Sequence, residues 1–279
     1  MTKLLRAGIR RYIKSSIFWI TLAGLMLLGI LGAAENGPQA SSDDLYLIGF
    51  MILLSAMIAL SIGREFGHGA MRNKLVTGYT KSQLFLVEWL LATVLCVLLF
   101  LVSALPFLIL NYPILKTIPT EALVKSVVGL FLGTLVVITA CVTICCLIHR
   151  RAVSVVVVLL FIIGLLFLSI YIYDQLERPE YLDIYISNGA LLEESSKPNP
   201  AYISGFRREV YLFLHHINPF GQIIEYANIL SPYFTPHVVK LSIPEEEMRI
   251  LNTAPVYSLG AMIAAVCCGY GFFRKKNIK

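Results

Sequence analysis

Few side chains in this sequence could do chemistry. The chain has 279 residues, of which 57% are hydrophobic and only 14% charged. An ionisable group inside an apolar run is therefore conspicuous. Glu88 lies roughly one helical turn inside such a run. A carboxylate at the centre of a bilayer costs about 2.5–3.5 kcal/mol on insertion scales, and less near its edge. Two roles suit it: a proton or ion relay, or an ion pair with a neighbouring cation. One shallow acid is not the chain of acids that a relay uses, which favours the pair. Lys125 is close to the outer end of another run and can snorkel to water. His215 and His216 are adjacent, so on a helix they point about 100° apart and make poor joint metal ligands. His68, His149 and His237 stand singly. Cys96, Cys141, Cys145, Cys146, Cys267 and Cys268 all lie in apolar runs without a C-x-x-C pair, so they read as small hydrophobes. No phosphate-cradling G-x-x-x-x-G-K-[ST], no H-E-x-x-H and no G-x-S-x-G occurs. An ion-coupled carrier would place charge near the midplane, and a membrane-embedded enzyme would need an acid–base or metal constellation. Neither is present, so any work done must draw its energy from elsewhere.

The elements that position these residues are membrane spans. A soluble domain carries about a quarter charged residues, whereas here the apolar residues gather into charge-poor runs of about 20 residues, enough to cross a bilayer. An all-α polytopic membrane protein with six spans follows, at about 16–34, 45–63, 84–110, 122–148, 152–173 and 256–273. Ahead of them, residues 3–14 read as an amphipathic helix. Lys3, Arg6, Arg10 and Lys14 share one stripe, opposite Leu4, Leu5, Ile9, Tyr12 and Ile13. That pattern suits a helix lying in the membrane interface. Gly129 and Gly133 form a G-x-x-x-G that permits close helix packing.

Basic residues set the orientation. They crowd the N-terminus, the 64–83 stretch, the 149–151 turn and the C-terminal tail. The opposite links are nearly free of them: none lies in 35–44, and only Lys116 lies in 111–120. Both termini are therefore expected in the cytoplasm. The formal charge of +6 is explained by this placement without invoking nucleic acid. Residues 174–255 form a long outer loop holding 11 of the 17 acids. Within it, 204–217 and 220–230 read as amphipathic helices, stopped by Asn218-Pro219 and Ser231-Pro232. Pro244 followed by three glutamates reads as another helix start.

The longest polar stretch on the cytoplasmic side is 64–83, R-E-F-G-H-G-A-M-R-N-K-L-V-T-G-Y-T-K-S-Q. Gly69 and Gly78 bracket a helical piece of about two turns. Arg72 and Lys74 offer charge-assisted bonds to a protein partner, and Met71, Leu75 and Val76 offer an apolar face. Glu65, Gly69, Met71, Arg72, Leu75, Gly78, Tyr79, Thr80 and Lys81, followed by an apolar span, resemble the membrane subunit of ABC-2-type ATP-binding-cassette transporters. The interfacial first helix, six spans, long loop before the last span and basic tail agree with that resemblance. So does Asn218-Pro219-Phe220-Gly221-Gln222 in the loop. Ala70, Lys81 and Glu88 depart from it, standing where the family often has Thr, Arg and Lys.

The resemblance implies a permease subunit of a bacterial plasma-membrane exporter. Residues 64–83 would be its coupling helix, with Glu65, Gly69, Met71, Arg72, Leu75, Gly78 and Lys81 meeting the ATPase. Two copies of a separate ATPase would carry ATP and magnesium, and the chain itself would hold no cofactor. It would pair with itself or with a second permease among membrane lipid. Its cargo would be a hydrophobic or amphipathic peptide, antimicrobial, drug or lipid. Phe206, Phe213, Asn218 and Pro219 would belong to a lid over the exit. A different class stays open: a non-transporting immunity or sensor protein that sequesters an antimicrobial peptide with its acidic outer loop.

Overall fold

The structure, a computed structural model, describes residues 2–34, 42–67, 69–148, 150–188, 191–234 and 244–275. His68, His149, His237, most of the 35–44 link and the end of the basic tail lie outside these residues. The elements run in order α1 (Thr2–Ile13), α2 (Ser16–Ala34), α3 (Ser42–Gly67), α4 (Ala70–Val76), α5 (Lys81–Leu110), α6 (Tyr112–Leu115), α7 (Thr120–Leu147) and α8 (Arg151–Glu177). They continue with β1 (Tyr181–Asn188), β2 (Leu191–Pro198), α9 (Phe206–Ile217), α10 (Pro219–Phe234) and α11 (Glu245–Lys275). Among the described residues, six helices are long and apolar enough to cross a membrane: α2, α3, α5, α7, α8 and α11. The protein is a predominantly helical, multi-pass membrane protein.

Local chemistry explains where several elements differ from their sequence-based bounds. Helix α5 begins at Lys81 rather than 84 because Thr80 and Gln83 form a reciprocal capping box. Thr80 Oγ1 accepts from the Gln83 amide at 3.2 Å, and the Thr80 amide donates to Gln83 Oε1 at 3.1 Å. Helix α10 continues through Pro232 instead of stopping there. The carbonyl that this proline leaves without its helical donor belongs to Asn228, an exposed residue. Helix α11 starts at Glu245 and passes through Pro255, so the last span begins well before residue 256. The all-α expectation also gains an antiparallel hairpin, β1 with β2, registered from Tyr181 opposite Pro198 to Asn188 opposite Leu191.

Helix α3 packs against α2, α7 and α8. Its Leu54, Ile58 and Ile62 share one buried core with Phe85 and Leu91 of α5, Val142 of α7 and Ile162 of α8, all fully buried. Helix α11 lies along α7 and α2 lies along α5.

The pair α9–α10 enters this bundle. Its turn at Asn218-Pro219 reaches the middle of the long helices. Asn218 Nδ2 donates to the carbonyl of Leu165, halfway along α8, at 2.9 Å. Gln222 Nε2 donates to the carbonyls of His216 and Ala254, at 2.7 and 3.3 Å, and Ser258 Oγ donates to Gln222 Oε1 at 2.8 Å. Broken backbone at membrane depth is tolerated only where protein satisfies its polar groups, and these side chains do so. The G-x-x-x-G of α7 serves the same approach. A Cβ at Gly129 would overlap the Tyr226 ring of α10, and one at Gly133 would touch Pro219. The small residues thus admit a re-entrant helix rather than another span.

Candidate coupling site

Helix α4 has only seven residues, too few to be stable in isolation. Its ends are set by glycines and its position by charge. Gly69 (φ 67°) and Gly78 (φ 94°) both take the left-handed backbone that an L side chain adopts at a cost. They turn the chain sharply out of α3 and back into α5. Met71 then seats in the bundle, 1% exposed. Leu75 and Tyr79 pack partly buried against the same core.

Four charged residues from four helices meet beneath α4. Lys74 Nζ donates to Glu88 Oε1 of α5 at 3.0 Å, and also pairs with Glu65 of α3. Glu65 is in turn paired with Arg11 of α1. Both carboxylates are withdrawn from solvent, Glu65 at 6% and Glu88 at 1% exposure. Two carboxylates face two basic side chains, the kind of pairing that burial of such groups demands. Burial works against the Lys74 ammonium. The carboxylates of Glu88 and Glu65 outweigh it and hold the Lys74 pKa above the ordinary lysine value. The Tyr12 hydroxyl of α1, buried beside the same carboxylates, has its pKa pushed well up, first by burial and then by Glu88 and Glu65. A cavity of about 170 Å³ opens beside the cluster, lined by Arg11, Tyr12, Ser15, Ser61, Arg64, Glu65 and Ala70. Arg64 Nη1 reaches across it to Ser15 Oγ at 3.4 Å.

This geometry sorts the residues that the sequence grouped together. Arg72 is exposed. Val76 is 80% exposed. Lys81 is half-buried at the start of α5. Glu65 and Met71 face inward, and Leu75 is half-buried. The expected apolar face of Met71, Leu75 and Val76 therefore does not exist as one surface. On a helix, positions 71 and 75 share a side and 72 and 76 share the next one round, and only the second faces out. Lys74, read as a partner contact, is instead spent on Glu65 and Glu88. Glu88 has the neighbouring cation that its depth in the apolar run required. Its partner was hidden from sequence because Lys74 precedes it by fourteen residues, across a turn. Arg11 was missed for the same reason. The Thr80-x-x-Gln83 capping signal was readable from the sequence alone.

The lid residues separate as well. Phe206 and Phe213 on α9 are 82% and 51% exposed. Asn218 and Pro219 are buried at mid-bundle, where Asn218 is held by Leu165, rather than over its end. His215 and His216 diverge as adjacent helical residues must. His215 Nε2 lies 3.1 Å from Glu225 Oε1, and the His216 ring stacks on Tyr257. Lys125 is paired with Glu121 one turn away. The cysteines are free thiols, with Cys96, Cys141, Cys145 and Cys146 buried and Cys267 and Cys268 exposed.

A scan of protein-family models finds no match to this chain, and a search of curated proteins finds none either.

Proposed function

We propose that this protein is the membrane subunit of an ATP-driven exporter of the ABC-2 type, with α4 as the helix through which a separate ATPase moves the bundle. One observation carries the reading. Helix α4 is tied to the bundle on one side by Met71 and Lys74 and presents Arg72, Asn73 and Val76 to solvent on the other. A force applied to the exposed side passes directly into α3 and α5 through the Lys74 ion pairs. A loop that only fixed topology would need no such internal tether.

The basic ends of the helices support the orientation. Gly63 of α3 lies against Arg151 at the start of α8. Phe85 near the start of α5 packs against Phe273 near the end of α11, with tilted rings and centroids 6.0 Å apart. Helices α1 and α4 and the basic residues Arg150, Arg151, Arg274 and Lys275 therefore sit at one end of the bundle. The positive-inside rule makes that end cytoplasmic. In this reading both termini are in the cytoplasm, the membrane is the bacterial plasma membrane, and α1 lies in its inner interface. Two such subunits, identical or related, would flank one pathway above two ATPase chains that hold ATP and magnesium. The cargo class is hydrophobic or amphipathic: a peptide, antimicrobial, drug or lipid.

The test is crosslinking in native membranes. Val76→Cys, treated with a short bifunctional thiol–amine reagent, is expected to capture an ATPase chain bearing a Walker motif. Cysteine placed at the lipid-facing Leu160 should capture none. Capture of no ATPase from Val76, in cells that express the neighbouring genes, overturns the reading.

A further inference from the structure

A second cavity, of about 120 Å³, lies where α3, α5, α7 and α10 converge near the outer ends of the helices. Phe100, Phe107 and Leu130 form much of its wall. Apolar cavities of roughly 150 Å³ stay dry and accept a benzene-sized molecule, so this one suits a single ring or a short chain. Its wall also carries hydroxyls. Ser126 of α7 and Tyr226 of α10 both line it, at 0% and 1% exposure. The Ser126 Oγ and Tyr226 Oη are buried without a hydrogen-bond partner. A third hydroxyl in the wall, that of Tyr46, is already satisfied by Ser103 at 3.2 Å.

An unmet buried hydroxyl is costly, and native structures leave few of them. Two in one cavity wall mark the place where a polar atom of a ligand belongs. A single water could bridge two such hydroxyls, but it would leave the apolar space beside them unfilled. A hydroxyl on an apolar body fits better. It accepts from one wall hydroxyl and donates to the other, while its body fills the apolar space. The route in is lateral. Leu108 of α5 and Val127 of α7 line the cavity and are each 38% exposed on the bundle surface, so the opening between α5 and α7 faces the hydrocarbon of the bilayer.

We propose that this cavity is a binding site for a small lipophilic phenol or alcohol that enters from the membrane and is held by Tyr226 and Ser126. The site lies within one bundle, and it stands whether or not the protein transports.

Two probes of nearly equal shape, 4-fluorophenol and fluorobenzene, test it by ¹⁹F relaxation on the full-length protein in nanodiscs. Empty nanodiscs provide the correction for partitioning. The protein is expected to bind 4-fluorophenol saturably, about tenfold more tightly than fluorobenzene. The Tyr226→Phe, Ser126→Ala double variant deletes two oxygen atoms and little else. It is expected to bring the ratio close to one while still binding fluorobenzene, which shows that the cavity is intact. A Leu130→Trp variant fills the space and should abolish both. Equal binding of the two probes to the unaltered protein overturns the proposal, since the hydroxyls would then recognise nothing. Absence of saturable binding overturns it, and so does a preference that survives the double variant.

Discussion

Lys74 Nζ lies 3.0 Å from Glu88 Oε1 while also holding Glu65, so one ammonium joins α3, α4 and α5. Arg11 extends the chain of charge to α1. A seven-residue helix acquires in this way a rigid attachment that its own hydrogen bonds do not supply. Met71 adds an apolar anchor on the same face. The arrangement makes α4 a part of the bundle with one free side.

The ion pairs set a stability prediction. Removing one partner of a buried pair typically costs about 3–5 kcal/mol, because the other charge is left uncompensated. Lys74→Ala should therefore lower the melting temperature of the detergent-solubilised protein substantially. Lys74→Met combined with Glu88→Leu removes both charges and should recover more than half of the loss. A double variant no better than the single one would show that the charges do not act as a pair.

The same lysine sets a pH prediction. Its folded pKa is raised, so its contribution is complete below the unfolded lysine value, about 10.4, and is lost as pH rises through the folded value. Arginine stays protonated throughout that range. The melting temperatures of the unaltered protein and of Lys74→Arg should run parallel from neutral pH to about pH 10. Above that they should diverge in favour of the arginine variant. Curves that stay parallel to pH 12 would rule out a titrating Lys74 as a support of the fold.

The two sides of α4 should fail differently. Met71→Ala empties a core position and should cost about 2–5 kcal/mol of stability. Arg72→Glu, at an exposed position, should change stability by no more than about 0.5 kcal/mol yet uncouple ATP hydrolysis from efflux. Glu65→Ala should lower both, since Glu65 is internal. Full efflux in Arg72→Glu cells, with normal protein levels, would contradict the coupling role proposed for the outer face.

At the re-entrant turn, Asn218 bonds the Leu165 carbonyl and also accepts from the Phe220 amide at 3.1 Å. Asn218→Ala leaves the buried Phe220 amide at the start of α10 without its acceptor, at about 1–3 kcal/mol, and removes the second donor to the Leu165 carbonyl, which keeps its bond within α8. Amide hydrogen exchange should accelerate in α9 and α10 while α5 remains protected. Unchanged exchange in α10 would show that the turn is held by packing alone. Gly129→Ala, which drives a methyl into Tyr226, should loosen the same pair of helices.

The sequence by itself determined the class of this protein and most of its long elements. Apolar runs of bilayer length can be satisfied only as helices when water is absent, and the short helix between Gly69 and Gly78 follows from the backbone freedom of those two residues. Tertiary structure alone decided which side of that helix is free. Residues 71 and 72 are neighbours in the chain and face opposite environments, and Lys74 could equally have bonded a partner until Glu65 and Glu88 were brought to it from other helices. The fate of residues 206–234 was decided there too. Polar residues such as Asn218 and Gln222 suit an aqueous loop in any linear reading. They become interior residues only because Leu165, Ala254 and Ser258, distant in sequence, supply at mid-bundle the hydrogen bonds that water would otherwise provide.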